Sequence, residues 1–431
     1  MWSPTPALRR AVLLTGLLAI VGVLLGRPDL VLLAVPFVAG TGWALRRRPP
    51  VGTAPALTVT IGATRVSEGG RAAATISVGN PGPAGYDVVV LQATGSRWLG
   101  FPTAGRAYAV AVPPDRAADL DLAGPALRWG RHQIGPARAV GYACDGLLAS
   151  DAAPAAPVTV PVYPASEPFD ADEAMPRAAG RTGGHRSRRP GQGGELAGVR
   201  RFAPGDRLRR VDWRVSLRTR QLHVAATLSD RDAELVLVLD VLAEAGRSGG
   251  IGGPASVLDT TVRAAAAIAG HYLRRGDRVS LVEYGDRARR LRPASGRRQH
   301  LAVLEWLLDV VPGAGAAGGH RRFGPSHLSP DALVVVLTPL IDDRTAPMLA
   351  QLARAGRFVV AVDTLPEWLA VPGTDPHAGL AYRLWRLERA NTVGALREHG
   401  VPVVPWAGAG SLDRVLRQVA RMAAAPRLVS R

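Results

Sequence analysis

The run AELVLVLDV, Ala233–Val241, holds five consecutive apolar residues between Glu234 and Asp240. A strand with one wet face alternates apolar and polar residues. An unbroken apolar run of this length describes a strand covered on both faces, as in a parallel sheet flanked by helices. The next segment, SVLDTTVRAAAAIAGHYLRRG (Ser256–Gly276), reads as a helix. Ser256 and Asp259 have capping-box spacing, and Gly276 stops the helix after two arginines. DRVSLVEYGDRARRLRP (Asp277–Pro293) then predicts two strands about a Gly-Asp turn, with a helix over Arg297–Asp309. DALVVVLTP, RFVVAVDT and VPVVPW are three more buried strands. Helical segments fall near Ala346–Ala355, Ala381–His399 and Ser411–Ala424. Such alternation over residues 229–424 predicts a mostly parallel, doubly wound α/β domain.

Toward the N-terminus the pattern changes twice. Residues 166–228 are rich in arginine and glycine. Arg181–Arg220 holds twelve arginines against Glu195, Asp206 and Asp212, which is half of the chain's net charge of +18. The part through Gly194 has the composition of a mobile linker. Residues 51–165 carry short alternating runs (LTVTI, AAATISV, YDVVVLQA, AYAVAV, ARAVGYA) separated by EGG, NPGPAG, VPPD and IGP. Strands of this length with frequent turns predict an antiparallel β-sandwich. LRWGRHQIGP (Leu127–Pro136) reads there as a strand, a glycine turn and a second strand. His132 is isolated and so structural.

Residues 1–49 hold two apolar runs, Ala11–Gly26 and Leu30–Leu45, parted by Arg27-Pro28-Asp29. Each is near the lower length limit for a membrane span. Proline and two charges mark a turn, so the pair predicts a transmembrane helical hairpin. Arg9, Arg10, Arg46, Arg47 and Arg48 flank it. By the positive-inside rule both ends, and the soluble domains, face the cytoplasm. A cleaved signal peptide using the first run alone would leave the second run unexplained. The expected location is therefore the cell membrane, as a multi-pass protein.

Composition narrows the chemistry. The 431 residues include no lysine, so arginine supplies every fixed side-chain cation. That charge favours anionic partners: lipid headgroups, acidic protein faces or nucleic acid. The one cysteine, Cys144, forms no intrachain disulfide, and no Cys/His set has zinc spacing. No Ser/His/Asp order or carboxylate pair marks a catalytic site. His271, His300, His320 and His327 are scattered. The chain is expected to be no enzyme and to need no cofactor.

FAPGDRLRRVDWRVSLRTRQLHV (Phe202–Val224) is the densest motif. A nucleic-acid surface would explain its arginines, but only Phe202 and Trp213 are there to stack, which disfavours that partner. GQGGELAG lacks phosphate-loop spacing. The favoured reading is a packed knot. Asp206 follows a Pro-Gly turn as a helix N-cap, Leu208, Val211 and Trp213 form an apolar side, and Asp206 and Asp212 pair with guanidinium groups. Trp213 is expected to be buried, so that its removal costs roughly 3–5 kcal/mol. The hairpin would hold the arginine strip near the bilayer, where anionic lipid attracts it.

Read from Gly194 to Val224, the motif resembles the signature of the bacterial domain of unknown function 58 family. Gly198, Arg200, Phe202, Gly205, Asp206, Arg210, Asp212, Trp213, Ser216 and Arg218 fall at its places. The resemblance covers most of the chain in its order of parts: membrane hairpin, strand-rich domain, motif, α/β domain. It implies a multidomain protein whose last domain is von Willebrand factor A-like (Rossmann-like). It also implies a MoxR-type AAA+ ATPase as partner. The chain departs from the family after the sandwich, keeping Asp145-Gly146-Leu147 but lacking a Pro-Phe pair. In A-type domains a divalent ion is held at the carboxyl ends of the strands by Asp-x-Ser-x-Ser, a threonine and a second aspartate. Here Leu242 and Glu244 replace both serines after Asp240, and Thr338-Pro339 stands where Ser-Asp is usual. No metal in the usual manner is expected. A rearranged set of Asp240, Glu244 and Asp342 is the competing idea, and helix capping by these acids the bland one. The function expected is a membrane-anchored adaptor or scaffold in protein assembly or remodelling. The alternatives are a metal-dependent ligand-binding domain and a binder of anionic lipid or nucleic acid.

Overall fold

The computed structural model describes residues 1–50, 53–63, 65–101, 105–165, 190–202, 211–228, 234–313, 323–325, 328–329, 332–366 and 377–407. The chain divides into one unit of Met1–Ala165 with Gly250–Gly252, and a second unit of the remainder.

The first unit opens with strand β1 (Trp2–Pro4), followed by helices α1 (Pro6–Leu24) and α2 (Pro28–Leu45). Both helices are long and apolar enough to cross a membrane by length and composition. Their apolar side chains, Leu13, Leu24 and Leu32 among them, are exposed. The two helices meet closely at Gly22, where a Cβ would lie 2.8 Å from the Val31 side chain. Arg27 and Asp29 form a two-bonded pair in the turn between them.

Strands β2 (Ala56–Ile61), β3 (Val66–Ser67), β4 (Arg71–Gly79), β5 (Val88–Gly95), β6 (Ala107–Val110), β7 (Ala117–Pro125), β8 (Gly130–Ala143), β9 (Leu148–Ser150), β10 (Ala153–Ala155) and β11 (Val158–Tyr163) complete this unit. One sheet runs β2-β4-β7. The other runs β1-β9-β8-β11-β3, with β5 and β10 also on β8 and β6 on β5. Every pairing is antiparallel except β11 with β3. Alternation sends Ala72, Ala74, Ile76 and Val78 of β4 inward. There they join Val89, Leu91, Leu122, Ile134, Val160 and Val162 in one core. Burying each of the larger side chains contributes about 1.5–3 kcal/mol. The glycine turn expected inside Leu127–Pro136 is corrected: Gly130 opens β8, which continues unbroken to Ala143. His132 is buried in it. Its Nε2 donates to the Arg128 carbonyl at 2.7 Å, and burial lowers its pKa.

The second unit begins with β12 (Pro190–Arg201), α3 (Trp213–Thr219) and β13 (His223–Leu228). Gly191–Gly194, expected in a loose linker, thus belong to a strand. Then follow β14 (Glu234–Asp240), α4 (Val257–Arg274), β15 (Arg278–Tyr284), β16 (Arg290–Ala294), α5 (Gly296–Leu307), β17 (Leu333–Thr338), α6 (Thr345–Arg354), β18 (Phe358–Asp363), α7 (Ala378–Glu398) and β19 (Val403–Pro405). The sheet order is β16-β15-β14-β17-β18-β19. Its pairings are parallel except the β15–β16 hairpin. Six of the seven residues of β14 are buried, as its apolar run requires. Val236 and Val238 share a core with Met348, Leu349 and Leu352 of α6 and Leu396 of α7. α4 packs on β14, β15 and β17. The Ser256–Asp259 capping box is present. The helix expected over Ser411–Ala424 lies outside the described residues.

Candidate functional site

Parallel sheets carry ligands at the carboxyl ends of their strands. In this unit that edge is filled by its own side chains. Asp240, at the end of β14, is almost wholly buried. Its Oδ2 accepts from the hydroxyls of Thr338 at 2.7 Å and Thr345 at 2.8 Å. Its Oδ1 accepts from the Leu242 amide at 3.1 Å. Burial pushes the carboxyl up from the usual range, against the pull of the two threonines. Thr338 also accepts from the Leu340 amide, and Leu340 takes a left-handed φ of 51° to allow it. Next along the edge, Arg389 of α7 donates to the Pro339 carbonyl and pairs with Asp363 of β18.

The other two acids of the rearranged metal idea have partners of their own, though Asp342 lies near enough to Asp240 to help raise its carboxyl pKa. Glu244 accepts from the Leu258 amide in the first turn of α4, at 3.4 Å. Asp342 accepts from the Arg344 amide and pairs with its guanidinium at 2.7 Å. Asp240, Glu244 and Asp342 each accept hydrogen bonds from neighbouring backbone or side-chain groups. Among the described residues no group of three or more His, Cys, Asp or Glu is placed to hold a metal ion. Thr345 was not singled out in the sequence. The readable signal was a hydroxyl at the first position of α6, seven residues after Thr338.

The motif is built differently. β12 and β13 pair antiparallel, Arg200 opposite Val224 and Arg201 opposite His223, with Gly198 opposite Ala226. The half-buried Phe202 donates its amide to the Leu222 carbonyl. Val211 forms a bridge to Val224 and is buried. Asp212 donates its amide to the His223 carbonyl. Its side chain caps α3, accepting from the Val215 amide at 3.1 Å. Ser216 is buried and fastens the far strand twice: its Oγ accepts from the His223 amide at 2.8 Å and donates to the His223 carbonyl at 3.3 Å.

Two expectations change here. Trp213 is not buried but 62% exposed, and Leu217, one turn on, is 79% exposed. As the first residue of α3, Trp213 points away from the strand pair that Asp212 and Ser216 grip. Asp212 is engaged as a backbone cap rather than as the guanidinium partner expected of it. Arg214, Arg218 and Arg220 of the same segment are exposed as well. Gly205, Asp206 and Arg210 lie outside the described residues, as does Arg181–Arg189. α3 thus leaves two apolar side chains exposed one turn apart, in a short helix with exposed arginines, capped by Asp212 and hydrogen-bonded through Ser216.

With this geometry in view, residues 198–367 match the family described as protein of unknown function DUF58. Uncharacterized proteins of Mycobacterium bovis and Mycobacterium tuberculosis are 33% identical over 134 residues, which is 31% of this chain. The match spans about two fifths, 41%, of those relatives' length. Among solved structures, the CARDB domain of a Pyrococcus furiosus protein in complex with di-metal ions is similar at 19% identity and a TM-score of 0.19. It covers 26% of this chain and 97% of that one. A cohesin module of a Clostridium perfringens family 33 glycoside hydrolase is similar at 13% identity and a TM-score of 0.20, covering 26% and 99%. At such scores these likenesses carry no argument.

Proposed function

We propose that the protein is a membrane-anchored, cytoplasm-facing adaptor that performs no chemistry and docks a MoxR-type AAA+ ATPase through the apolar face of α3. The observation that carries this reading is the pairing of Trp213 and Leu217, exposed one turn apart in a short helix with exposed arginines. Tryptophan and arginine are the residues that dominate binding energy at protein interfaces. An exposed face held by a capped, doubly fastened helix gives up little conformational entropy on binding.

The rest of the chain fits a scaffold. The sheet of the second unit is read as a von Willebrand factor A-like domain whose ion-binding corner is closed by Asp240, Thr338 and Thr345. The two apolar helices are read as a membrane hairpin. β1 before α1 and β2 after α2 both belong to the sandwich, which supports having both helix ends on one side of the bilayer. Arg9, Arg10 and Arg46–Arg48 favour the cytoplasmic side.

The test is recovery of the ATPase with the full chain solubilised from membranes. Wild type should bring down an AAA+ ATPase identified by mass spectrometry, and the Trp213→Ala/Leu217→Ala double variant should lose it while keeping its melting temperature. Equal recovery by both, or recovery of no such ATPase by wild type, would contradict the proposal.

A further inference from the structure

At the base of the helical hairpin lies a half-open cavity of about 620 Å³, within the first unit. Its walls come from two places. Trp43, Arg46, Arg47 and Arg48 lie at the end of α2 and just beyond. Gly85, Tyr86, Asp87, Cys144 and Asp145 are contributed by two loops of the sandwich. The walls are held together locally. Thr5 donates its hydroxyl to the Gly146 carbonyl at 2.8 Å, and Ala44 packs with Ala143, Cys144 and Leu148. Cys144, Asp145 and Gly146 all take positive φ in the turn that meets the helices.

We propose that this cavity binds the headgroup of one anionic phospholipid, its phosphate held by the guanidinium groups of Arg46–Arg48. The inference rests on α1 and α2 lying in the bilayer and goes beyond the adaptor reading. The volume suits one small polar ligand, since binding pockets commonly measure about 300–1,000 Å³. Guanidinium forks match phosphate oxygens in geometry as well as charge. Arginine exceeds carboxylate on the walls, three residues to two, and Asp87 already accepts from the Gly146 amide at 2.9 Å. The Cys144 thiol adds no negative charge, because burial, and then the two nearby aspartates, push its pKa up. Trp43 is exposed at the end of α2 with the Arg46 guanidinium 5.4 Å from its ring centre. Indoles favour the membrane–water boundary, the depth at which a headgroup sits. Topogenic arginines alone would need no cavity walled by loops of a soluble domain. The wall contributed by the sandwich loops is what turns a charged rim into a site.

Two variants separate a site from diffuse attraction. Arg47→Gln/Arg48→Gln removes cation charge. Gly85→Trp adds bulk at a lining position on the sandwich side and leaves every arginine in place; a Cβ at Gly85 meets only Pro114, at an ordinary 3.7 Å. The full chain, purified in mild detergent and stripped of lipid, is titrated with phosphatidylglycerol, phosphatidylcholine and glycerol 3-phosphate and followed by native mass spectrometry. The expected result is a single phosphatidylglycerol retained by wild type, weakened roughly tenfold or more by each variant, with neither phosphatidylcholine nor glycerol 3-phosphate retained comparably. Undiminished phosphatidylglycerol binding by Gly85→Trp would overturn the proposal in favour of diffuse charge. Equal retention of phosphatidylcholine would overturn its anionic selectivity, and equal retention of glycerol 3-phosphate would overturn its lipid source. Flotation of the wild-type chain with membranes is read in parallel. A chain that floats but retains no phosphatidylglycerol loses the site and keeps the hairpin; a chain that does not float loses both.

Discussion

The carboxyl edge of the six-stranded sheet and the helix of the motif use the same polar devices to opposite ends. At the sheet edge Asp240, Thr338, Thr345, Asp363 and Arg389 turn inward and satisfy one another. At α3 the carboxylate of Asp212 and the hydroxyl of Ser216 are likewise engaged locally, yet the apolar side chains Trp213 and Leu217 turn out to water. One region is closed, and its residues serve stability. The other is fastened so that it presents something. At the place where α/β folds usually bind ligands these side chains satisfy one another, and the recognition surface proposed above is a turn of helix outside the sheet.

The contrast breaks first at Asp240. Asp240→Ala leaves two buried threonine hydroxyls and an amide without their acceptor. It should cost roughly 2–4 kcal/mol in thermal or urea unfolding of the full chain. The same residue gives the closed region a pH signature. Burial raises its folded-state pKa above the unfolded value of about 3.9. Its contribution to stability is then fully present below that value and is lost as pH rises through the folded pKa. Asp240→Asn should remove this part of the decline in melting temperature with pH.

The fasteners of α3 come next. Ser216→Ala leaves the His223 amide without its buried partner and should cost about 1–2 kcal/mol. Asp212→Ala removes the cap and should cost about 1 kcal/mol. Trp213→Ala should change stability least, by within about 0.5 kcal/mol, since little of the ring is removed from water. A large loss of stability on that substitution would mean that the motif is a packed knot after all, and the distinction between the two regions would vanish.

The buried sheet was legible because parallel strands write themselves as apolar runs. Leu235–Leu239, Leu333–Leu337 and Phe358–Val362 needed only their composition. The capping box at Ser256 and Asp259 was legible because its spacing is its mechanism. Other parts were not. β1 is three residues long, below any period, and owes its existence to pairing with Leu148–Ser150. β7 alternates Asp119 and Asp121 with Leu120 and Leu122 over four residues only, too briefly to announce a nine-residue strand. The exposure of Trp213 ran against the ordinary preference of large aromatics for cores. No residue type encodes which side of a seven-residue helix faces out. That follows from Ser216 gripping a strand seven residues downstream, a contact visible only in three dimensions.

The most direct test of the docking claim places a photoreactive amino acid at position 217 of the full chain in its native membranes. The account predicts a cross-link to an AAA+ ATPase subunit, suppressed when Trp213→Ala is combined with it. Cross-links only within the chain itself, or an ATPase cross-link indifferent to Trp213, would contradict it.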